Sequence, residues 1–135
     1  MTLSKSGLLI WIVAILCSLI VTLGCNTYTQ GQRIYSIRCA GCHGEHGEGL
    51  ERLYPPLKLS NILTDSIERL PCIITKGLIG SRVVNGITFD HAMAPVTGLS
   101  SIEMTNLFNY LLHDMFDSEK TVTPADIEGW LKSCE

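Results

Sequence analysis

Basic residues are scarce in this chain. Ten Lys and Arg stand against 13 Asp and Glu, for a formal net charge of −3. They form no run, so nothing offers phosphates a basic footprint, and no nucleic acid partner is expected. Aromatic residues make up only 7 % of the 135 positions. A core built from so little bulk gains from a staple or a bound group. Internal repeats and low-complexity tracts are absent too, leaving one domain of ordinary size.

Charge is missing altogether from Gly7 to Gly24, GLLIWIVAILCSLIVTLG. The stretch is slightly short for a membrane span and slightly long for a signal core. Leu23-Gly24-Cys25 then places a thiol after a small residue, as bacterial lipoprotein signals do, although Thr22 stands where an aliphatic residue is commoner. Lipidation at Cys25, an uncleaved anchor and plain secretion remain three readings, and each sends Asn26 onward out of the cytoplasm. The expected organisation is a lipoprotein-type signal or anchor over 1–24, a tether over 25–29 and a domain over 30–135. Cleaved before Cys25, the chain would lose only Lys5 among its charges, so its net charge would be −4.

Within the domain, Thr29 can cap a helix from about Gln30 to Cys42, with Ile34, Ile37 and Ala40 or Gly41 along one face. Residues 43–56 hold three glycines and two prolines and read as a loop. Helical fragments follow over 57–77, with Pro71 breaking or opening one and Gly77 ending it. Arg82 to Phe89 reads as a hairpin, because β-branched residues flank Asn85-Gly86. Ser100-Ser101-Ile102-Glu103 fits a capping box, followed by Met104, Leu107, Phe108, Leu111, Leu112 and Met115 at helical spacing. Thr123-Pro124-Ala125-Asp126 opens a last short helix to about Lys132.

The chemistry concentrates in Arg38 to Leu50, RCAGCHGEHGEGL. A dithiol redox switch would need a strand before the Cys-X-X-Cys, and none is expected there. A zinc site would need a second ligand pair, yet Cys72 and Cys134 are single and no His-X3–5-His occurs. Covalent haem attachment uses all three residues at once. Cys39 and Cys42, one helical turn apart, can add to two vinyl groups, and His43 then lies under the iron. Gly44, Gly47 and Gly49 are expected to let the backbone pass close to the ring edge.

Cys39-Ala-Gly-Cys42-His43-Gly44, Gly47-Glu48-Gly49, Tyr54-Pro55-Pro56-Leu57, Met93-Ala94-Pro95 and Leu99-Ser100 together resemble the small mono-haem cytochromes c (class I type) of bacterial cell envelopes. The resemblance covers about Gln30 to Met115. It implies an all-α fold, cytochrome c-like helices around one covalently bound haem c, with crossing N- and C-terminal helices, long loops and here one short hairpin. It also implies electron transfer without chemistry on a substrate. In such proteins a proline carbonyl accepts the proximal imidazole N–H, which points to Pro55. Met93, in the loop ahead of the capped helix, is the expected sixth ligand. The family has Met directly before Pro, whereas Ala94 intervenes here. Met104 and Met115 fall at core spacing, His91 is the competing ligand, and His46 and His113 read as solvated. Arg52, Lys58, Arg82 and Tyr54 are unranked donors for the haem propionates.

Cys72 and Cys134 are left over, an even remainder for an exported protein, and pair as a disulfide or stay as two buried thiols. A disulfide would close a loop of about 60 residues, a contribution of roughly 3–4 kcal/mol. Three functions follow from these readings. The first is a one-electron carrier held at the membrane through Cys25 or the N-terminal span, exchanging electrons with redox protein partners. The second is a haem-bearing subunit of a larger oxidoreductase. The third is a haem with an open sixth site, acting as a peroxidase or gas sensor.

Overall fold

The computed structural model describes Gly7, Leu9 and residues 11–15, 27–61 and 67–134. Cys25, most of the apolar N-terminal segment and residues 62–66 lie outside the described residues. No helix among the described residues is long and apolar enough to cross a membrane.

The architecture is helical with one two-stranded sheet, as expected. Helix α1 (Thr27–Arg38) starts earlier than the sequence predicts, so Thr29 lies inside it. It breaks at Cys39, where φ −124° and ψ −39° leave the helical well. Helix α2 (Ala40–His43) continues the turn, because Cys39 donates to the Tyr35 carbonyl at 2.8 Å and His43 donates to the Cys39 carbonyl at 3.0 Å.

The expected buried face of α1 holds in part: Ile34 and Ala40 pack against the core, but Ile37 is 69 % exposed, and the fully buried positions are Gly31 and Tyr35. These two lie one turn apart and meet α4 (Ser101–Tyr110) where the helices cross. A Cβ on Gly31 would collide with the Asn106 carbonyl oxygen and the Tyr110 Cβ, so the crossing depends on its absence. Tyr35 is buried, with its ring centroid 5.5 Å from that of Tyr110, and its hydroxyl donates to the Gly44 carbonyl at 2.6 Å.

A 3-10 turn (Ile67–Arg69) leads into α3 (Leu70–Lys76), with Pro71 in its first turn and Gly77 at its end, both as predicted. The hairpin strands β1 (Arg82–Val84) and β2 (Ile87–Phe89) pair antiparallel with Arg82 opposite Phe89. Asn85 and Gly86 take φ of 49° and 80°, the left-handed values that a tight hairpin turn requires. Val84 and Phe89 turn inward. Asn61 and Asn85 exchange side-chain and backbone bonds at 2.9 and 3.0 Å, tying the turn to the loop before α3.

Helix α4 opens with the predicted capping box between Ser100 and Glu103, and its continuation, Leu111–Met115, widens into a π turn. Met104, Leu107, Phe108, Leu111 and Met115 form the centre of the core, so Met104 and Met115 pack as expected. Asn109 clasps Val122 at 2.8 and 3.1 Å, folding the chain back into α5 (Pro124–Lys132). There Thr123 and Asp126 form a second capping box, Ile127 is fully buried, and Trp130 lies 6.2 Å from Phe108. The sulfurs of Cys72 and Cys134 come into contact, their Cα atoms 5.3 Å apart, joining the N-terminal half of α3 to the second residue beyond α5.

Candidate functional site

The described residues enclose a cavity of about 430 Å³ between the α1–α2 corner, the end of α3, the hairpin and the loop before α4. Its size suits a bound organic group, for which pockets run roughly 300–1,000 Å³. All five residues singled out in the sequence, Cys39, Cys42, His43, Pro55 and Met93, line it.

The two cysteines reach the wall because α1 breaks at Cys39 and α2 restores one turn. Both thiols are free. Burial pushes the Cys39 thiol up to about 11, with Cys42 adding to the rise and Arg38 opposing it. The thiol therefore stays protonated at neutral pH.

His43 is fixed from behind. Its Nδ1 lies 2.9 Å from the Pro55 carbonyl oxygen. A carbonyl only accepts, so Nδ1 carries the proton and Nε2 keeps its lone pair. Burial lowers the imidazole pKa, against the Pro55 bond that raises it. The loop that presents Pro55 closes on itself: Gly49 donates to the His43 carbonyl at 2.7 Å, Leu50 to Tyr54 at 2.9 Å and Leu57 to Gly47 at 2.8 Å.

The expectation for Gly44, Gly47 and Gly49 needs correction. None of the three lines the cavity; their close neighbours are the Glu48 carboxylate, the Met115 sulfur and the Tyr54–Pro56 backbone. Their left-handed φ values turn the loop back on itself instead of admitting a ring edge.

Met93 is half-buried on the cavity wall, in a loop paired to Leu78 by two backbone bonds of 2.9 Å. His91 also reaches the cavity but is exposed, its ring edge-on to Tyr54 at 5.7 Å. His46 and His113 are exposed, as expected. Of the four donors left unranked, Tyr54 and Arg82 line the cavity, whereas Arg52 and Lys58 do not.

Sequence reasoning missed several walls. Ile74, Leu78, Val84, Phe89 and Val96 supply apolar surface, and Arg38 joins Arg82 as a cation. Among the described residues, no carboxylate lines the cavity. Arg38 directly precedes the Cys-X-X-Cys, and that adjacency was the signal available. The ensemble fits a haem on its own terms: two free thiols a turn apart, an imidazole with an oriented lone pair, a thioether, apolar walls for a porphyrin and guanidinium groups for its carboxylates.

Comparison with known proteins agrees. Residues 26–111 match the family model described as cytochrome C oxidase, cbb3-type, subunit III. Cytochrome c-552 of Thermus thermophilus is 30 % identical over 95 residues, 67 % of this chain and 72 % of that protein. A second cytochrome c-552, from another strain designation of the same species, is 30 % identical over 95 residues, and there the match spans 64 % of the relative.

Proposed function

As this chain belongs to the cytochrome c family of the cbb3-type oxidase subunit III, and so carries a covalently bound c-type haem for electron transfer, we propose that it is a one-electron carrier with His/Met axial ligation. In this reading Cys39 and Cys42 hold the porphyrin through thioethers, and His43 and Met93 are the axial ligands. The observation that carries it is the meeting of both thiols, the imidazole and the thioether on one apolar cavity. When bound, the haem supplies an iron that cycles between ferric and ferrous states, and a thioether ligand favours the ferrous one.

The protein's own residues then do three things around the haem. Pro55 holds the imidazole plane through Nδ1–H, which also makes Nε2 a better donor. Ile74, Val84, Phe89 and Val96 exclude water from the ring faces. Arg38 and Arg82 offset the propionate charge. Cys25, through a lipid or the N-terminal segment as an anchor, holds the domain at the membrane in this reading, and it lies only two positions before Thr27 in the sequence. Retention near a membrane raises the effective concentration of redox partners there. The sulfur contact supports a Cys72–Cys134 disulfide, in keeping with an envelope location outside the cytoplasm.

A redox titration of the purified holoprotein, followed in the visible spectrum, tests the proposal. It predicts a single one-electron wave with low-spin bands in both oxidation states and the far-red ferric band of a methionine sulfur. A high-spin, five-coordinate spectrum would contradict His/Met ligation.

The matched family description favours a second reading, that the protein is a stable haem-bearing subunit of a larger membrane oxidase. Native purification in mild detergent separates the two. A carrier elutes alone, and a subunit elutes with its complex.

A further inference from the structure

The loop that carries Met93 rests on one short piece of chain. Leu78 donates to the Met93 carbonyl at 2.9 Å, Met93 donates to the Leu78 carbonyl at 2.9 Å, and Val96 donates to the Ile74 carbonyl at 2.7 Å. Gly77 lies between those two anchors with φ +74°, and a Cβ there would strike the Met93 carbonyl oxygen and reach within 3.0 Å of the Pro95 nitrogen. Residues 74–78 thus act as a rail, and the Met93 loop lies along it with no room for sideways play.

What holds the rail is less obvious. It is the end of α3, which has only seven residues. A helix of about two turns does not sustain itself without tertiary support. Leu70, Pro71 and Ile74 give α3 a buried edge. It packs on α5, Lys76 donates to the Cys134 carbonyl, and the sulfur of Cys72, two residues before Ile74, is in contact with that of Cys134 beyond α5. Helix α5 packs in turn on α4, the centre of the core. A continuous path therefore runs from the core through α5, Cys134 and Cys72 to Ile74, and on to Met93. The opposite side of the site, Cys39 to His43 and Pro55, is held by the α1 crossing on α4 and by its own loop, without passing through α5, Cys134 or Cys72.

We infer that the Cys72–Cys134 bond positions the sixth ligand of the haem: it fixes α3, α3 fixes the rail, and the rail keeps the Met93 sulfur at the iron. The inference rests on the His/Met ligation and the disulfide of the preceding section. Opening the bond frees the Met93 side and leaves the His43 side unchanged. The opening step is thiol–disulfide exchange with a dithiol. The protein disulfide takes up two electrons and two protons and becomes two thiols, while the dithiol closes to its own cyclic disulfide. The thioether bonds to the haem are carbon–sulfur bonds and do not exchange.

The test uses the intact holoprotein in two forms, a Cys72→Ala/Cys134→Ala variant and the wild type treated with dithiothreitol, capped with N-ethylmaleimide and returned to the ferric state. Each is titrated with imidazole, which competes for the sixth position, while the far-red sulfur band and backbone hydrogen exchange are followed. Both forms are expected to bind imidazole about tenfold more tightly than untreated protein, mid-range for coupled sites. They also show a weaker far-red band and faster exchange at Met93 and Val96, with exchange at His43 and Gly49 unchanged. Equal imidazole affinity and an undiminished band in the folded variant and in the reduced wild type overturn the inference. If the variant does not fold, the reduced wild type decides. A wild type without the far-red band removes the ligation premise. A wild type whose Cys72 and Cys134 label before reduction removes the disulfide premise. Either result also overturns the inference, and the two are distinguishable from its own failure.

Discussion

The Nδ1 of His43 stands 2.9 Å from the carbonyl oxygen of Pro55, twelve positions along the chain. Pro55 therefore acts through its backbone, and its side chain matters by fixing φ in the loop that aims the carbonyl. Pro55→Gly keeps the acceptor and loosens its placement. The variant is expected to lose about 0.5–1 kcal/mol from the freer unfolded chain. In ¹H NMR, the His43 Nδ1–H signal exchanges with water faster than in the wild type. An equally protected proton in the variant would show that the proline ring contributes nothing to the imidazole.

The helix crossing gives a prediction with an internal control. Gly31→Ala forces a methyl into the Asn106 backbone, and overpacking of this kind costs about 1–3 kcal/mol. Gly129, in α5, has open space around it. Gly129→Ala is expected to add about 0.5–1 kcal/mol by stiffening the helix. Chemical denaturation of the two holoproteins checks both signs together.

The capping boxes set part of the acid sensitivity. Glu103 accepts from the Ser100 amide at 2.9 Å and from the Ser100 hydroxyl at 2.7 Å, and these bonds lower its pKa below the ordinary 4.5. Asp126 is lowered in the same way by the Thr123 hydroxyl and amide. A depressed carboxylate contributes stability that is present above its unfolded pKa and lost as pH falls through the folded one. Melting temperature is thus expected to hold from neutral pH down to about 4.5 and to decline below it. Glu103→Gln flattens that decline in part, since Asp126 continues to titrate. A variant with the same acid slope as the wild type would show that the Glu103 cap makes no contribution.

Arg82 makes a prediction about potential. With Arg38 it supplies the cations of a cavity that, among the described residues, no carboxylate lines. Removing a positive charge near the propionates favours the ferric state. Arg82→Gln is expected to lower the midpoint potential by roughly 20 mV, about 0.5 kcal/mol for an exposed, solvent-screened charge. Lys in its place recovers most of the shift. An unchanged potential in both variants would place the guanidinium outside the haem's field.

Much of the site was legible from local chemistry. Cys39, Cys42 and His43 are neighbours in sequence, and their meaning does not depend on tertiary contacts. The Ser100–Glu103 capping box and the Asn85-Gly86 turn are equally local and are legible where they occur, whereas at Thr123 the sequence gives the helix start but not the second capping box. The errors came from decisions made at a distance. Ile37 looks like a core residue by spacing, but the α1–α4 crossing turns Gly31 and Tyr35 inward and Ile37 toward the cavity. The glycines after His43 looked like concessions to a ring edge, yet their partners are other parts of the same loop. The walls at Val84, Phe89 and Val96 belong to three separate stretches of chain, and no periodicity in any one of them announces a shared cavity. Gly31 was the missed clue, because a glycine inside a helix marks a close approach.

The attachment itself is open to direct weighing. Trypsin cuts after Arg38 and after Arg52, so digestion of holoprotein alkylated without reduction releases Cys39 to Arg52 as one peptide. That peptide is expected to carry the mass of a single haem, with neither cysteine alkylated. The same peptide found colourless, with alkyl groups on both Cys39 and Cys42, would contradict the account at its centre.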